Sequence, residues 1–575
     1  MFPRSPRLPI LLPTCLALLA SLVASRAHAQ TIPPAVVSDG AGGVIVAWED
    51  SRHGERNIYA QRLGAGGARM WADSGVVVCA AIGHQIGPVI VADGAGGAIV
   101  AWQDSRAAAS DVYAQRLSPA GVSLWAPDGV PVSAAAGYQF HPTIAADGIG
   151  GAILAWDDTR SGNFDVYAQR LSSGGTPVWA IDGVPVCGAP GQRSNPHIAS
   201  DGAYGVVVDW GETRAGVQGI YAQRLGPNGA PKWISSGVVV HAAGGLEDLL
   251  PAIASDEAGG AIACWEARST TSDSIAVLMQ QIDSTGALGW GAAGVRVSTS
   301  SDWQRLPVVV ADGSGGAIAN WLDFALSSNG PLQVLAQRVD AGARSWDIGG
   351  VAVGPTQATQ TDPVLLGDGA GGAITAWDDV RAGYSSGPSW DIYAQRLTPA
   401  GEPAWAAGGV AVCGALGVQT MPSIAGDADG GAIIVWNDFR GWSPPSALDS
   451  TLFAQRVDAN GATLWSPEGV RVYFRSSGSV LGAGPGPESR GATLAVANPA
   501  PGGIHVMLSL PDSRPATLEL IDVSGRRVAG RSLAGLAAGP HGFDLPVTAA
   551  GRSGLYFVRL VTAGETLTRK TCFIQ

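Results

Sequence analysis

A five-residue phrase, Trp-x-Asp-x-Arg, recurs along the chain and places a carboxylate and a guanidinium at a fixed spacing. In an extended strand, offsets of two and four put all three side chains on one face. These side chains could together bind a polar ligand, or each aspartate could pair with its own arginine and fix the local fold. We favour the structural role, because a feature found in nearly every copy serves the repeat more readily than a single site. The full phrase occurs at Trp48, Asp50 and Arg52; Trp102, Asp104 and Arg106; Trp156, Asp158 and Arg160; Trp377, Asp379 and Arg381; and Trp436, Asp438 and Arg440.

A second regular feature is a glutamine that stands three residues before a proline. It occurs at Gln85, Gln139, Gln304, Gln360 and Gln419. If the loop that enters the first strand of a copy lies beside the loop that leaves the second, these amides share one mouth of the molecule with the Asp and Arg side chains. That mouth is the predicted binding site. The alternative is that each amide hydrogen-bonds the backbone of a neighbouring loop.

The loops that follow Trp-x-Asp-x-Arg differ most in length between copies, and the last three are the longest. Trp390 and Trp442 lie in such loops. Binding residues concentrate in variable loops on rigid scaffolds, and an exposed aromatic side chain can stack on a sugar or a peptide. The equal alternative is that both tryptophans cover the edge of a sheet.

Motifs for catalysis, metals and cofactors give no convincing match. The histidines show no paired spacing, no Cys-x-x-Cys pair exists, and the 427–430 segment Asp-Ala-Asp-Gly is only a fragment of a calcium loop. We therefore expect no cofactor and no metal site, leave calcium open, and consider an enzyme less favoured than a binding protein.

The elements that must position these residues come from a repeat marked by tryptophan. Eight copies of about 55 residues follow one another, each with short strands rich in Val, Ile, Trp and Tyr separated by Gly-containing turns. Four antiparallel strands per copy cannot bury both faces alone, whereas radial stacking buries each sheet against its neighbours. The sequence therefore predicts an all-β fold with an eight-bladed β-propeller over residues 30–474. A linear β-solenoid and two smaller rings are the alternatives.

Composition and charge exclude several classes of protein. Of 575 residues, 46% are hydrophobic and only 14% charged, which is too apolar for a disordered chain. The formal net charge of −12 and the absence of a basic block argue against nucleic-acid binding. Residues 1–29 combine Arg4 and Arg7, an apolar run and a small-residue site ending at Ala29, as in a secretory signal peptide. We expect cleavage after Ala29, a mature chain without a transmembrane segment, and a secreted or cell-surface protein with unpaired, buried cysteines.

The repeat stops after Phe474, and residues 475–490, rich in Gly, Ser and Pro, have the composition of a linker. Residues 491–575 contain about seven short strands, enough for an immunoglobulin-like sandwich. Its motifs in order are Asn498-Pro499, the 522–526 segment Asp-Val-Ser-Gly-Arg, the 554–560 segment Gly-Leu-Tyr-Phe-Val-Arg-Leu, and a closing strand with Lys570. This region resembles the C-terminal sorting domain of type IX secretion substrates and, more broadly, the Ig-like module of flagellar hook-capping proteins. The resemblance implies an address for outer-membrane export or surface attachment, and the alternative is a plain adhesive sandwich.

Three functions remain open from the sequence. The first is an exported binding or adhesion scaffold that takes a carbohydrate or a protein at the cell surface. The second is an extracellular glycosidase or lyase that uses carboxylates at the mouth, and the third is a structural surface component. A pair of carboxyl groups unlike their counterparts in other copies would favour the enzyme, and a symmetric ring of Asp–Arg pairs would count against it.

Overall fold

The computed structural model describes residues 32–107, 109–242, 246–269, 274–324, 330–381, 390–440, 451–474, 493–496, 500–501, 504–510, 514–522, 526–534, 539–545, 554–562 and 566–574. The chain divides into two compact units, Met1–Gly478 and Ser479–Gln575. Among the described residues, the first unit consists of eight antiparallel sheets, numbered here in chain order. In each sheet the strands are paired in sequence order. The prediction of an all-β chain with repeated four-stranded, propeller-like sheets is therefore confirmed.

The first four sheets each contain four strands. Sheet 1 contains β1 (Ala35–Ser38), β2 (Val44–His53), β3 (Glu55–Leu63) and β4 (Val76–Cys79). Sheet 2 contains β5 (Gln85–Ala92), β6 (Ala98–Asp104), β7 (Asp111–Leu117) and β8 (Val130–Ser133). Sheet 3 contains β9 (Gln139–Ala146), β10 (Ala152–Asp158), β11 (Asp165–Leu171) and β12 (Val184–Pro185). Sheet 4 contains β13 (Gln192–Ser200), β14 (Val206–Arg214), β15 (Val217–Leu225) and β16 (Val238–Ala242).

The last four sheets repeat this plan, and sheet 6 has one additional short strand. Sheet 5 contains β17 (Leu246–Ser255), β18 (Ala261–Ser269), β19 (Ile275–Ile282) and β20 (Val295–Arg296). Sheet 6 contains β21 (Trp303–Ala311), β22 (Ala317–Phe324), β23 (Leu332–Asp340), β24 (Ala343–Arg344) and β25 (Val351–Ala352). Sheet 7 contains β26 (Gln360–Gly367), β27 (Ala373–Asp379), β28 (Asp391–Leu397) and β29 (Val410–Cys413). Sheet 8 contains β30 (Gln419–Gly426), β31 (Ala432–Asp438), β32 (Thr451–Val457) and β33 (Val470–Arg471).

In most sheets, an Asp-Gly-x-Gly-Gly hairpin joins the first two strands. In sheet 2, the Asp93 carboxylate accepts hydrogen bonds from the backbone N–H groups of Ala95 (2.8 Å) and Gly97 (2.8 Å). Gly94 has a φ of +71°, which a glycine adopts without the steric cost that a Cβ atom would bring. Arg116, on the third strand, pairs with the other oxygen of Asp93 at 2.9 Å. The hairpin and the third strand are thus held by one carboxylate.

The hydrophobic cores lie between neighbouring sheets. Each tryptophan of the Trp-x-Asp-x-Arg phrase packs in a cluster that combines residues of two sheets, as Trp156 of sheet 3 does with Ile99 and Val112 of sheet 2. Seven of these eight tryptophans are fully buried. A single sheet cannot bury such side chains, so sheet-to-sheet packing is what stabilises the repeat.

The eighth sheet packs on the first. Trp48 of sheet 1 stacks on Tyr473 with ring centroids 4.5 Å apart, and both belong to a cluster with core residues of sheet 8. The Ser423 hydroxyl donates to the carbonyl oxygen of Pro34 at 2.7 Å, and the Trp465 indole N–H donates to that of Ala65 at 2.8 Å. Each sheet also contacts the next one in sequence, so the contacts run in a complete cycle.

The first strands of seven sheets contain a bulge at the same position. The residue directly before the proline has a positive φ, between 47° and 61°, and the register with the second strand shifts there. We call this position the pre-proline slot; with its counterpart in sheet 1 it holds Pro33, Gly87, His141, Asn195, Leu250, Leu306, Asp362 and Met421. Proline cannot donate to a sheet ladder and disfavours the right-handed helical region for its predecessor, which makes a bulge the natural place for it.

The second unit is described separately and contains two sheets. One has the order β34 (Thr493–Val496), β36 (Ile504–Leu510) and β39 (Gly539–Leu545). The other has the order β35 (Ala500–Pro501), β41 (Thr566–Ile574), β40 (Gly554–Val561), β37 (Thr517–Asp522) and β38 (Arg527–Ser532). Val506 and Leu508 of the first sheet share one core with Leu518 and Val558 of the second, so the sheets pack face to face. A search of the described residues for a helix long and apolar enough to cross a membrane finds none.

Candidate functional site

The Trp-x-Asp-x-Arg side chains form a compact structural unit. In sheet 2, Asp104 is fully buried and accepts a hydrogen bond from the Trp102 indole N–H at 2.8 Å. Arg106 makes two hydrogen bonds to the same carboxylate, at 2.9 and 2.7 Å, and its guanidinium lies 3.8 Å from the centroid of the Tyr113 ring. It also donates to the carbonyl oxygen of Asp128 at 2.7 Å. One arginine therefore joins the second strand, the third strand and the turn before the fourth.

The same unit recurs in the other sheets that carry the full phrase. Asp158 with Arg160, Asp379 with Arg381, and Asp438 with Arg440 each make an ion pair at 2.6 Å. Sheet 6 lacks the arginine, and there burial raises the pKa of Asp323 to about 6. Asp323 has no arginine two residues later to offset this effect of burial.

The predicted glutamines are buried at the start of the first strands. Gln85 lies opposite Asp104 in the strand register, so the two side chains lie at the same end of sheet 2. The carboxamide oxygen of Gln304 accepts the N–H of Val277, and that of Gln360 accepts the N–H of Val334, both at 2.9 Å. Both donors belong to the preceding sheet, so these amides hold neighbouring sheets together. The same burial applies to Gln139 and Gln419.

Trp390 directly precedes β28 and forms a bridge with Val418. Trp442 lies outside the described residues. Among the fifteen predicted binding residues, the fourteen that the structure describes do not line the cavity described next. Their role in ligand binding stays a prediction.

A cavity of about 1090 Å³ lies where the first strands of the sheets meet. Residues at or beside the strand-opening proline line it in all eight copies, including Pro142, Pro196, Pro307 and Pro422. Leu250, Leu306 and Met421 are apolar members of the wall, and His141, Asn195, His197, Asp362 and Arg56 are polar members. Its volume is that of a site for a small molecule or a short stretch of a polymer.

His141 forms the first of two histidine–aspartate couples on this wall. Its Nδ1 atom lies 3.0 Å from Oδ2 of Asp157, and the imidazole is 66% exposed while the carboxylate is buried. The other oxygen of Asp157 accepts the N–H of Asn195 in sheet 4 at 3.0 Å. The hydrogen bond to Asp157 raises the pKa of His141, and burial raises the pKa of Asp157.

His197 and Asp209 form the second couple. They are direct partners in the register of β13 and β14, with Nδ1 of His197 3.6 Å from Oδ1 of Asp209. Asp209 is fully buried, and burial raises its pKa while His197 opposes the shift. Most other copies have Ala or Val at the position of Asp209. The pair is therefore a specific feature of sheet 4, and its 3.6 Å separation is longer than a normal hydrogen bond.

Asp362 of sheet 7 lines the cavity, and Asp378 lies behind it. Asp378 is buried and accepts hydrogen bonds from the Thr420 hydroxyl and from the N–H of Met421 at 3.3 Å. Burial, and next the charge of Asp362 within hydrogen-bonding reach, raise the pKa of Asp378 well above 3.8. The charge of Asp362 therefore adds to burial in disfavouring the ionised form of Asp378.

Asp157 and Asp378 occupy one position of the repeat, directly after the buried tryptophan. We call it the post-tryptophan slot; it holds Glu49, Gln103, Asp157, Gly211, Glu266, Leu322, Asp378 and Asn437. Every carboxylate in it accepts an N–H from the pre-proline slot of the next sheet, as Glu49 does from Gly87 at 2.6 Å and Glu266 from Leu306 at 2.7 Å. These carboxylates also attract Arg56, 3.6 Å from Glu49, and Arg305, 3.2 Å from Glu266.

Sequence reasoning missed both couples because it examined histidine spacing and not deviations from the repeat. His141 and Asp157 are 16 residues apart, a distance that no catalytic motif specifies. The signal that could have found them is the alignment of the eight copies at the positions flanking the proline and the tryptophan. Histidine stands in one copy before the proline and in one copy after it, and aspartate stands directly before the tryptophan in one copy.

Comparisons with known proteins give structural likeness only. No protein-family model matches the chain, and no curated protein matches its sequence. The chain is similar to the crystal structure of polysaccharide lyase Uly1, with a TM-score of 0.40, 10% identity, and 62% of this chain and 88% of that one covered. It is also similar to a PL25 ulvan lyase bound to an oligosaccharide, with a TM-score of 0.36, 9% identity, and 76% and 95% covered. A third similar structure is the Penicillium chrysogenum α-L-arabinanase with arabinobiose, with a TM-score of 0.32, 11% identity, and 52% and 88% covered.

Proposed function

We propose that the first unit is a closed eight-bladed β-propeller that acts on a polysaccharide in its central cavity, as a glycosidase or a lyase. The cyclic contacts of the eight sheets and the shared cavity support the closed ring. The observation that carries the enzymatic function is the His–Asp couple on the cavity wall in which Asp157 holds His141 at 3.0 Å. A histidine held by a buried carboxylate is the usual general base or acid at neutral pH.

The symmetry of the molecule supports this assignment. The Asp–Arg pairs repeat around the sheets and are engaged in fixing them, as a structural feature would be. By contrast, the couples at the cavity occur in single sheets. A ligand without the symmetry of the repeat needs different side chains on different sides of the cavity, and these couples provide them.

A polysaccharide panel tests this function. The full chain is incubated with arabinan, xylan, galactan and polygalacturonate, and new reducing ends and bound polymer are measured separately. We expect one polymer to be cleaved, and His141→Asn to lower the rate by roughly 10²- to 10⁴-fold. Absence of both binding and cleavage across the panel would contradict the proposal.

The second candidate is a non-catalytic binding or adhesion scaffold. The apolar part of the wall, Leu250, Leu306 and Met421, favours it, because these side chains can hold a ligand without chemistry. Binding of a polymer with no new reducing ends would select this function over the enzyme.

The export route is a further part of the proposal. The leader over residues 1–29 and the resemblance of residues 491–575 to a type IX sorting domain support secretion or attachment at the cell surface. The two face-to-face sheets of the second unit are compatible with an Ig-like sandwich. Deletion of residues 491–575 should retain the protein inside the cell envelope, and undiminished surface display would refute the sorting role.

A further inference from the structure

We infer that the cavity carries a general base and a general acid on opposite walls, His141 with Asp157 in sheet 3 and Asp362 with Asp378 in sheet 7, and that they hydrolyse a neutral polysaccharide with inversion. The inference rests on the proposed function and names the reaction of the same site.

The first step is that both couples occupy the same pair of slots. His141 and Asp362 fill the pre-proline slot, and Asp157 and Asp378 fill the post-tryptophan slot. In the other six copies at least one of the two slots holds a residue that does not titrate, such as Leu250 beside Glu266. The repeat therefore places two titratable couples in equivalent geometry, and only in sheets 3 and 7.

The second step is their position in the cycle of contacts. Sheets 4, 5 and 6 separate sheet 3 from sheet 7 on one side, and sheets 8, 1 and 2 separate them on the other. Both His141 and Asp362 line the cavity. A ligand in the cavity thus meets the two couples from opposite sides.

The third step assigns the roles. Because Asp157 holds Nδ1 of His141, the free ring nitrogen, Nε2, is the one that can accept a proton from the ligand side. Asp378 is buried, its Oδ1 has no donor among the described residues, and it lies behind Asp362. A proton shared by the two carboxyl groups can leave through Asp362. His141 and Asp362 are therefore the catalytic residues, and Asp157 and Asp378 are positioning residues.

The charged groups at the cavity favour a substrate without carboxylates. Asp362 lies on the cavity wall and the post-tryptophan slot holds four carboxylates, whereas Arg56 is the arginine of the wall and already pairs with Glu49. A polyuronate would bring its own carboxylates toward these groups and be repelled. A neutral glycan meets no such penalty, which favours hydrolysis over elimination from a uronate.

The step balances with water as the second reactant. Nε2 of His141 takes a proton from water, and the water oxygen bonds to the anomeric carbon. The bond from that carbon to the leaving oxygen breaks, the electron pair goes to the oxygen, and the oxygen takes the proton of the Asp362–Asp378 couple. Attack and departure on opposite faces invert the anomeric configuration.

The experiment uses the full chain with arabinan, xylan and galactan, and proton NMR of the first products reads their anomeric configuration. We expect inversion. His141→Asn and Asp362→Asn keep a residue that tolerates a positive φ, so both should fold and lose roughly 10²- to 10⁴-fold in kcat. Gln103→Asn, in the post-tryptophan slot of sheet 2 and away from the cavity wall, is the matched control and should retain the rate.

Asp378→Asn tests the positioning role. Asparagine can still donate a hydrogen bond to Asp362 but holds no proton to share, so kcat should fall while KM and the melting temperature do not fall. A purely structural role would leave kcat unchanged or lower the melting temperature.

The outcomes separate the inference from the proposed function. Retention of configuration, an unsaturated uronate product, or wild-type rates in both asparagine variants would overturn the inference and leave a polysaccharide-acting enzyme. Binding without cleavage would overturn the inference and leave the scaffold. Neither binding nor cleavage would overturn both.

Discussion

At the scale of single residues, two adjacent aspartates of sheet 7 show opposite electrostatics. Asp379 is buried but pairs with Arg381 at 2.6 Å, whereas Asp378 is buried beside Asp362 and its pKa lies well above 3.8. A raised pKa in the folded state favours folding fully below the unfolded pKa, and that contribution is lost as the pH rises through the folded pKa. At neutral pH, Asp378 therefore costs stability.

We predict that Asp378→Asn raises the melting temperature near neutral pH, and that the gain disappears as the pH falls to about 3.8. Asp379→Asn, the neighbouring control, should lower the melting temperature at neutral pH because it leaves Arg381 without its anion. Differential scanning fluorimetry across a pH series measures both. Equal shifts in the two variants would contradict this account.

The Asp–Arg unit gives a second prediction at this scale. Asp104→Ala leaves the Trp102 indole N–H and the Arg106 guanidinium without their common acceptor, and breaking such a buried pair costs about 3 to 5 kcal/mol. Asp73→Ala removes a partner of Arg69 that is 76% exposed and should cost less than about 1 kcal/mol. Urea denaturation followed by tryptophan fluorescence compares the two variants. A similar loss in both would show that burial is not what makes the unit stable.

At the scale of elements, the turn before the fourth strand packs closely on the buried tryptophan of the second strand. Gly129 has a φ of +87°, and a Cβ atom there would lie 2.6 Å from Cη2 of Trp102 and 2.8 Å from the carbonyl oxygen of Ala114. Gly94 also has a positive φ, +71°, but a Cβ atom there would meet nothing within 4 Å. An alanine at either glycine would have a strained backbone, but only the alanine at Gly129 would also overlap with its neighbours.

We predict that Gly129→Ala is more destabilising than Gly94→Ala, by about 1 to 3 kcal/mol, the usual cost of overpacking a core. Both variants share the cost of a left-handed alanine, so the difference between their urea midpoints reports the contact with Trp102. If the midpoints coincide, the packing of the turn on the indole is unimportant.

The strands and hairpins could be predicted from the sequence, whereas the couples at the cavity could not. Alternation of apolar residues and Gly-rich turns depends on neighbours in the chain, so the repeat, the strand order and the position of Gln85 opposite Asp104 follow from it. The pairing of His197 with Asp209 depends on the bulge at Asn195, which shifts the register. The residues with a left-handed backbone before the proline include His, Asn, Leu, Asp and Met, and these residue types do not predict such a backbone. The coordinates are therefore needed to find the side chains that line the cavity.

At the scale of the whole molecule, the junction between the first and last sheets is made of ordinary contacts. The indole of Trp465 donates to Ala65, and the N–H of Phe474 donates to the carbonyl oxygen of Asp73 at 2.8 Å. In the part of the chain that the structure describes, the strands of sheets 1 and 8 each pair within their own sheet. The contact between these two sheets therefore depends on packing and on the hydrogen bonds named above.

We predict that deletion of residues 416–474, which removes sheet 8, abolishes the cooperative thermal transition of the first unit, because the apolar faces of sheets 1 and 7 lose their partner. Cleavage in the predicted linker, residues 475–490, should leave that transition in place. Calorimetry of the two products measures both, and a cooperative transition in the truncated chain would indicate an open array.

The slot before the proline has a further consequence for how such a protein diversifies. Seven sheets hold the same left-handed backbone there, and it accommodates glycine, histidine, asparagine, leucine, aspartate and methionine. At Gly87, Asn195, Leu306 and Met421 a carboxylate of the preceding sheet binds the backbone N–H, so the side chain there can be exchanged without rebuilding the scaffold. A small combinatorial library at these few codons would sample new ligand preferences while the sheets that display them stay the same.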